Sequence, residues 1–142
     1  MRHKVYGKHL GRSKNERTAL FKNLVQSLII SEKIETTEAK AKAIKGLVDK
    51  LITQAKSPTT RRYVSQFLTD KKTQDKLIKE LLPRMKSRTS GYTSVIKVGH
   101  RQGDNSSMVV MSLLMEEAKA SAPEKAEKPK RTSKKKEVAP NS

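Results

Sequence analysis

The chain contains no cysteine and no tryptophan, and only two Phe and three Tyr among its 142 residues. Without cysteine there is no disulfide framework, no thiolate metal site and no cysteine nucleophile. Long apolar runs are missing as well. Nothing approaches the ~18 consecutive apolar residues that a membrane-spanning helix requires. The start, Met1-Arg2-His3-Lys4, is basic but is followed by no apolar segment, so it does not read as a secretory signal. These absences point to the cytoplasm. Acids are scarce beside bases, 14 Asp and Glu against 32 Lys and Arg, for a net charge of +18. Hydrophobic residues make up 34% of the chain, below the ~45–50% of ordinary soluble domains. One domain with a thin core is expected.

What the chain has in quantity is positive charge, and it is spread out. Residues 1–17 carry Arg2, Lys4, Lys8, Arg12, Lys14 and Arg17 against the single acid Glu16, with His3 and His9 besides. Residues 118–142 hold eight Lys or Arg and three acids, and the span between keeps the rest of the excess. Such a surplus repels itself in a free monomer. A polyanion relieves it, either nucleic acid or an anionic membrane surface.

Residues 1–12 have few apolar side chains and two glycines, and read as an extended arm that orders on a partner. Ser13-Lys14-Asn15-Glu16 fits a capping box. Leu20, Phe21, Leu24, Val25, Leu28 and Ile29 follow at gaps that predict a helix over 14–31, with Arg17 and Lys22 facing outward. Ile34 and Thr36 favour a short strand at 33–36. Thr36 or Thr37 then caps a second helix, 38–56, with Ala41, Ile44, Leu47, Val48, Leu51, Ile52 and Ala55 along one face. Ser57-Pro58 opens a third helix over 58–68. Asp70 caps a fourth over 71–82, which Pro83 ends. Tyr92–Val98 and Met108–Met115 read as strands of an antiparallel hairpin around the turn formers between Gly99 and Ser107. From 117 onward large apolar residues nearly vanish, and disorder is expected. The expected organisation is a basic arm at 1–12, one folded domain at 13–116 and a basic tail at 117–142, with helices packed on one face of a small sheet.

Catalysis finds no support in the side chains. His3, His9 and His100 have no companions at metal-ligand spacing. Asp49, Glu80 and Asp104 show no pairing suited to acid–base work. There is no phosphate-binding glycine loop and no G-x-S-x-G. No enzyme activity, metal or cofactor is expected. A basic amphipathic helix could lie on lipid, and Lys40, Lys42, Lys45 and Lys50 do share the polar side of 38–56. That helix lacks aromatic anchors, however, and the core needs its apolar face. Nucleic acid fits best, since Lys and Arg on phosphates bind by counterion release. Arg61-Arg62 beside Tyr63, Arg84 and Arg88 after Pro83, and Arg101 at the hairpin tip can form forked phosphate bonds. No recognition helix, zinc finger or zipper is present for sequence-specific DNA binding. The few aromatics argue against a base-stacking sheet. What remains is a folded RNA read by shape and phosphates. A free-standing nucleoid-type DNA-binding protein is the alternative, and a nucleic-acid enzyme a third reading with little support.

A series of short motifs then narrows the choice. Met1-Arg2-His3, Leu10-x-Arg12, Arg17-x-Ala19-Leu20 and Asn23-Leu24 lead into Glu32-x-Ile34-x-Thr36-Thr37-x-x-Lys40-Ala41-Lys42. Leu51-Ile52-Thr53-x-Ala55-Lys56, Arg61-Arg62, Gly91-Tyr92-Thr93, Lys97, Gly99, Arg101-x-Gly103-Asp104-Asn105 and Met108 follow. In this order and spacing, over about 1–115, the chain closely resembles the bacterial large-subunit ribosomal protein seventeen family. The resemblance implies an α/β (α+β) two-layer fold with about four helices on a small three-stranded mixed sheet that includes the C-terminal hairpin. It implies a structural role on large-subunit ribosomal RNA, on the solvent side near the exit tunnel, beside neighbouring ribosomal proteins, with no catalysis and no cofactor. It carries RNA contact over to Arg2, His3, Arg12, Arg17, Arg61, Arg62 and Arg101, and to Lys4 and Lys8 where Arg is frequent. His9, Arg84 and Arg88 join them as basic groups of the arm and of the segment after Pro83. The chain departs from the family pattern at Ser94, where Arg is usual, at Ser90 for a frequent Gly, at Glu16 for a common His, and at Met111-Ser112-Leu113 in the last strand. Ser94 leaves one phosphate contact in doubt. The resemblance does not extend to the tail beyond 117.

Overall fold

A computed structural model describes residues 7–115. Half of the expected arm, residues 1–6, and the whole expected tail therefore lie outside the described residues. Helix α1 (Lys14–Ser31) begins with the expected capping box: the Ser13 amide donates to Glu16 Oε2 at 3.0 Å, and the Glu16 amide to Ser13 Oγ at 3.4 Å. It ends at Glu32 in the left-handed conformation, which turns the chain directly into β1 (Lys33–Thr37). Helix α2 (Glu38–Lys56) follows without a loop. Thr37 holds its N-cap position, but its side chain makes no capping hydrogen bond. The charge at that end comes instead from Glu38, which accepts from Lys42 and from Ser107.

The expected third helix splits into a 3₁₀ turn, Pro58–Thr60, and α3 (Arg61–Phe67). Pro58 suits the start because its missing N–H would have no helical acceptor there. Asp70 caps α4 (Lys71–Asp75) through the Lys72 amide and the Thr73 hydroxyl. The structure corrects the expected end of this helix. The chain widens into a π turn over Lys76–Leu81, then tightens into a 3₁₀ turn over Leu82–Met85. Pro83 does not stop it. The wide turn lets the Leu82 amide reach back to the Leu77 carbonyl, and Pro83 falls in the first turn of the 3₁₀ segment, where no N–H is needed. This change of pitch buries Thr73, Leu77, Leu81, Leu82 and Met85 together.

The chain returns through β2 (Thr93–His100) and β3 (Ser107–Leu113). The sheet order is β1-β3-β2, and both pairings are antiparallel. The expected mixed sheet is corrected in this respect. β1 and β2 run the same way, but β3 lies between them, so the parallel relation never becomes a hydrogen-bonded pair. The hairpin loop is also shorter than the expected span from Gly99 to Ser107. A bulge between Lys97 and Gly99 carries β2 on to His100, and Gly99, at φ +155°, takes a conformation that other residues rarely adopt.

One face of the sheet is covered. Val109, Met111 and Leu113 of β3 are buried with Ile44, Val48, Leu51 and Ile52 of α2, and Val25, Leu28 and Ile29 of α1 complete that side. Tyr92 is fully buried at the sheet margin. The Asp49 carboxylate accepts its amide at 3.0 Å, and its hydroxyl is shared between the Thr89 and Arg88 carbonyls at 2.9 and 3.2 Å. The opposite face is open, with Ile96 61% exposed opposite Val110.

Leu28 is fully buried in the centre of this core. Leu28→Ala is expected to cost about 2–5 kcal/mol, and Ser13→Ala about 1 kcal/mol through loss of the cap. Urea unfolding with a fixed m-value measures both. Equal costs for the two would contradict the assigned core.

Candidate nucleic-acid interface

The basic side chains fall into three settings: held by backbone carbonyls, paired with acids, or free of both. At the root of the arm, Leu10 and Gly11 are both left-handed, at φ +55° and +60°. The tight turn brings the Arg12 amide to the His9 carbonyl at 3.3 Å. Arg17 closes the turn from α1. Its guanidinium donates to the Arg12 carbonyl at 3.3 Å and to the His9 carbonyl at 3.5 Å. Arg12 itself reaches the Leu10 carbonyl at 3.3 Å. Arg17 was expected to face outward. It is half-buried because its guanidinium folds back onto the carbonyls of His9 and Arg12 at the turn. Lys8 and His9 stand exposed beyond this root. Arg2, His3 and Lys4 lie outside the described residues.

A second group surrounds the end of α2. Arg61 Nε donates to the Ala55 carbonyl at 3.0 Å, and Thr60 Oγ1 to the Gln54 carbonyl at 2.6 Å. Both answer acceptors left open in the last turn of a helix. Lys56 extends across the gap to the Met85 carbonyl at 2.6 Å and to the Arg88 carbonyl, with its ammonium 4.8 Å from the centre of the Tyr92 ring. Lys56, Arg61 and Lys86 line a cleft of about 290 Å³ floored by Ile78, Leu82 and Pro83. Periodicity had no means of joining Lys56 and Lys86 to Arg61, because the π turn decides where residue 86 lies. The Arg88 side chain is exposed and has no hydrogen-bond or ion-pair partner among the described residues.

The remaining expected sites have local partners. Arg84 lies 3.7 Å from Glu32, which Lys76 also approaches at 3.5 Å. Arg62 covers the Tyr63 ring at 4.9 Å and donates to the Tyr63 hydroxyl at 3.0 Å. At the hairpin tip, Arg101 forms a forked pair with Asp104 at 3.1 and 2.6 Å. Asp104 also accepts from the Ser106 hydroxyl and amide. The Arg101 contact first, and then the Ser106 bonds, hold its carboxyl far below the ordinary range. Ser94 pairs with Ser112 in the sheet. Among the described residues, no group of His, Cys, Asp and Glu is placed to hold a metal ion, and no helix is long and apolar enough to cross a membrane.

Comparison with known proteins agrees with this arrangement of motifs. The family model of ribosomal protein L17 matches residues 20–114. The chain belongs to the ribosomal protein L17 family. Among its relatives is the large ribosomal subunit protein bL17 of Anaeromyxobacter dehalogenans, 45% identical over 130 residues, covering 90% of this chain and 80% of the relative. The bL17 of Pelobacter propionicus is 43% identical over 119 residues, with 82% and 94% covered. That of Campylobacter concisus is 44% identical over 118 residues, with 82% and 100% covered. Membership makes this chain a ribosomal protein rather than an enzyme. The family match covers α1 from Leu20, the sheet and the basic groups around α2.

Four carboxylates are held below their ordinary range: Glu16 by the Ser13 amide, Glu38 by Lys42, Asp70 by the Thr73 hydroxyl and Asp104 by Arg101. A depressed carboxylate contributes stability above its unfolded value and loses it as pH falls through the folded one. The melting temperature should therefore decline as pH drops below about 4. Asp104→Asn should flatten part of that decline while leaving the sheet intact. Calorimetric scans from pH 7 to pH 2 provide the check, and an unchanged pH profile in the variant would show that the hairpin-tip pair contributes nothing. Glu16, Asp70 and Asp104 are solvent-exposed and Glu38 is half-buried at the surface, so the effect is small.

Proposed function

We propose that the chain is a structural constituent of the large ribosomal subunit in the bacterial cytoplasm, where it binds and stabilises folded large-subunit RNA beside neighbouring ribosomal proteins. The observation that carries this reading is the family match over residues 20–114. The mechanism is electrostatic: Lys and Arg side chains replace condensed counterions along RNA phosphates. The contacts are assigned to Arg2, His3, Lys4, Lys8, His9, Arg12, Arg17, Arg61, Arg62, Arg84, Arg88 and Arg101.

The geometry supports a division of labour among the described members of this set. Arg12, Arg17 and Arg61 each use part of the guanidinium on a backbone carbonyl. A guanidinium has five N–H donors, so each keeps several for a phosphate. Its orientation is then settled before RNA arrives, and less side-chain entropy is lost on binding. Lys8 and Arg88 are exposed and act as charges that adapt to the backbone they meet, with the exposed His9 imidazole beside Lys8. Arg84 and Arg101 already face carboxylates and bind phosphate with their remaining donors.

Arg61→Ala removes a helix-end contact as well as a charge, so it confounds folding with binding. Lys8→Ala with Arg88→Ala avoids this, because the Arg88 carbonyl that Lys56 and Tyr92 use is backbone and is kept. The double variant should melt like the parent. It should bind a large-subunit RNA fragment more weakly, with a log–log salt slope shallower by roughly 0.7–0.9 per lost contact. Sucrose-gradient fractionation tests the assignment itself. The chain should sediment with the large subunit through moderate salt, and recovery only in the soluble fraction would end the ribosomal reading.

A further inference from the structure

A cleft of about 300 Å³ lies between α1, α2 and α3, away from the basic groups already described at the end of α2. Its floor is apolar: Leu47 and Leu51 of α2, with Phe67 of α3. Tyr63 forms a wall and is 42% exposed, unusual for so large a ring in a chain with only five aromatic residues besides its histidines. Half-buried Lys22 and exposed Lys50 also line it. Lys22 lies 5.9 Å from the centre of the Phe67 ring, and neither lysine has a carboxylate partner among the described residues. No acid lines the cleft, while Gln54 adds an amide with both donors and an acceptor. The volume is at the lower end of small-ligand sites, so it suits a single flat group.

These features specify the occupant by chemistry. The aromatic wall and apolar floor take the face of a ring, the amide answers polar edges, and the two ammonium groups, neither paired with a carboxylate, take an anion attached to that ring. Arg62 covers the Tyr63 ring at 4.9 Å without lining the cleft, which fixes the ring for stacking. We propose that the Tyr63–Phe67 cleft receives one unstacked nucleobase of the bound RNA, with Lys22 and Lys50 on its flanking phosphates. This rests on the RNA reading above and deepens it: the protein grips one splayed nucleotide in addition to the backbone. It also locates base stacking on a helical surface, where the strand pattern showed no aromatic platform.

The test uses the full chain, an octamer of uridines and an octamer of abasic ribose phosphates, titrated calorimetrically at equal low salt. The uridine octamer should bind roughly fivefold to a hundredfold more tightly, the range for one base stacked on an aromatic side chain. Tyr63→Ala should erase that preference while leaving the abasic affinity and the melting temperature unchanged. Tyr63→Phe should keep it. Equal affinity of the parent for both octamers, with normal salt dependence, overturns the nucleobase site and leaves phosphate binding standing. A preference that survives in Tyr63→Ala overturns it too, by placing the base elsewhere. Failure to bind either octamer at low salt would count against the RNA reading itself.

Discussion

The fold depends on covering a single helix. α2 buries Ala41, Ile44, Val48, Leu51, Ile52 and Ala55, a stripe too wide for one neighbour to shield. It therefore collects neighbours on several sides: the sheet, α1, α3 and the π and 3₁₀ turns all contact it. In a chain that is 34% hydrophobic, this concentration lets a thin core suffice. The polar side of α2 remains free for lysines.

The same arrangement determines where charge can be displayed. A helix surrounded by neighbours must end somewhere, and the last turn of α2 leaves carbonyls open. Arg61 and Thr60 satisfy two of them, while Lys56 bridges to the segment that follows the π turn. These cations thus close the fold and present positive charge in one place. The arm root repeats the principle, with Arg17 holding the carbonyls of a left-handed turn. Basic residues that brace the backbone are already oriented for phosphate. On the proposed RNA reading, folding and RNA binding would draw on the same guanidinium groups.

The distinction matters for interpreting loss of function. On the proposed reading, loss of the exposed Lys8 or Arg88 side chain would weaken binding alone. A lost Arg61 or Arg17 also disturbs the backbone that its guanidinium supports. The Tyr63–Phe67 cleft belongs to neither class. It sits on the flank of α2 where α1 and α3 diverge, and its apolar floor is the edge of the core itself.

Local sequence determined much of the architecture. The capping box at Ser13, the periodicity of 14–31 and 38–56, the Pro58 and Asp70 starts and the turn formers of the hairpin all depend on short-range chemistry, so they were legible without coordinates. So was the family, through the order of its motifs. Tertiary structure alone decided what depends on distant partners. Pro83 is passed rather than obeyed because the core draws Leu81, Leu82 and Met85 inward together, and a wider turn is the way to bury them all. β3 enters between β1 and β2, because strand order depends on which edges the helices leave available. Arg17 turns from solvent to backbone, because its acceptors come from a turn that no periodicity describes. Lys22, Lys50 and Tyr63 come to line one cleft only through the packing of α1, α2 and α3. Periodicity reports which face of an element is apolar; the packing of the elements decides which side chains from different faces become neighbours.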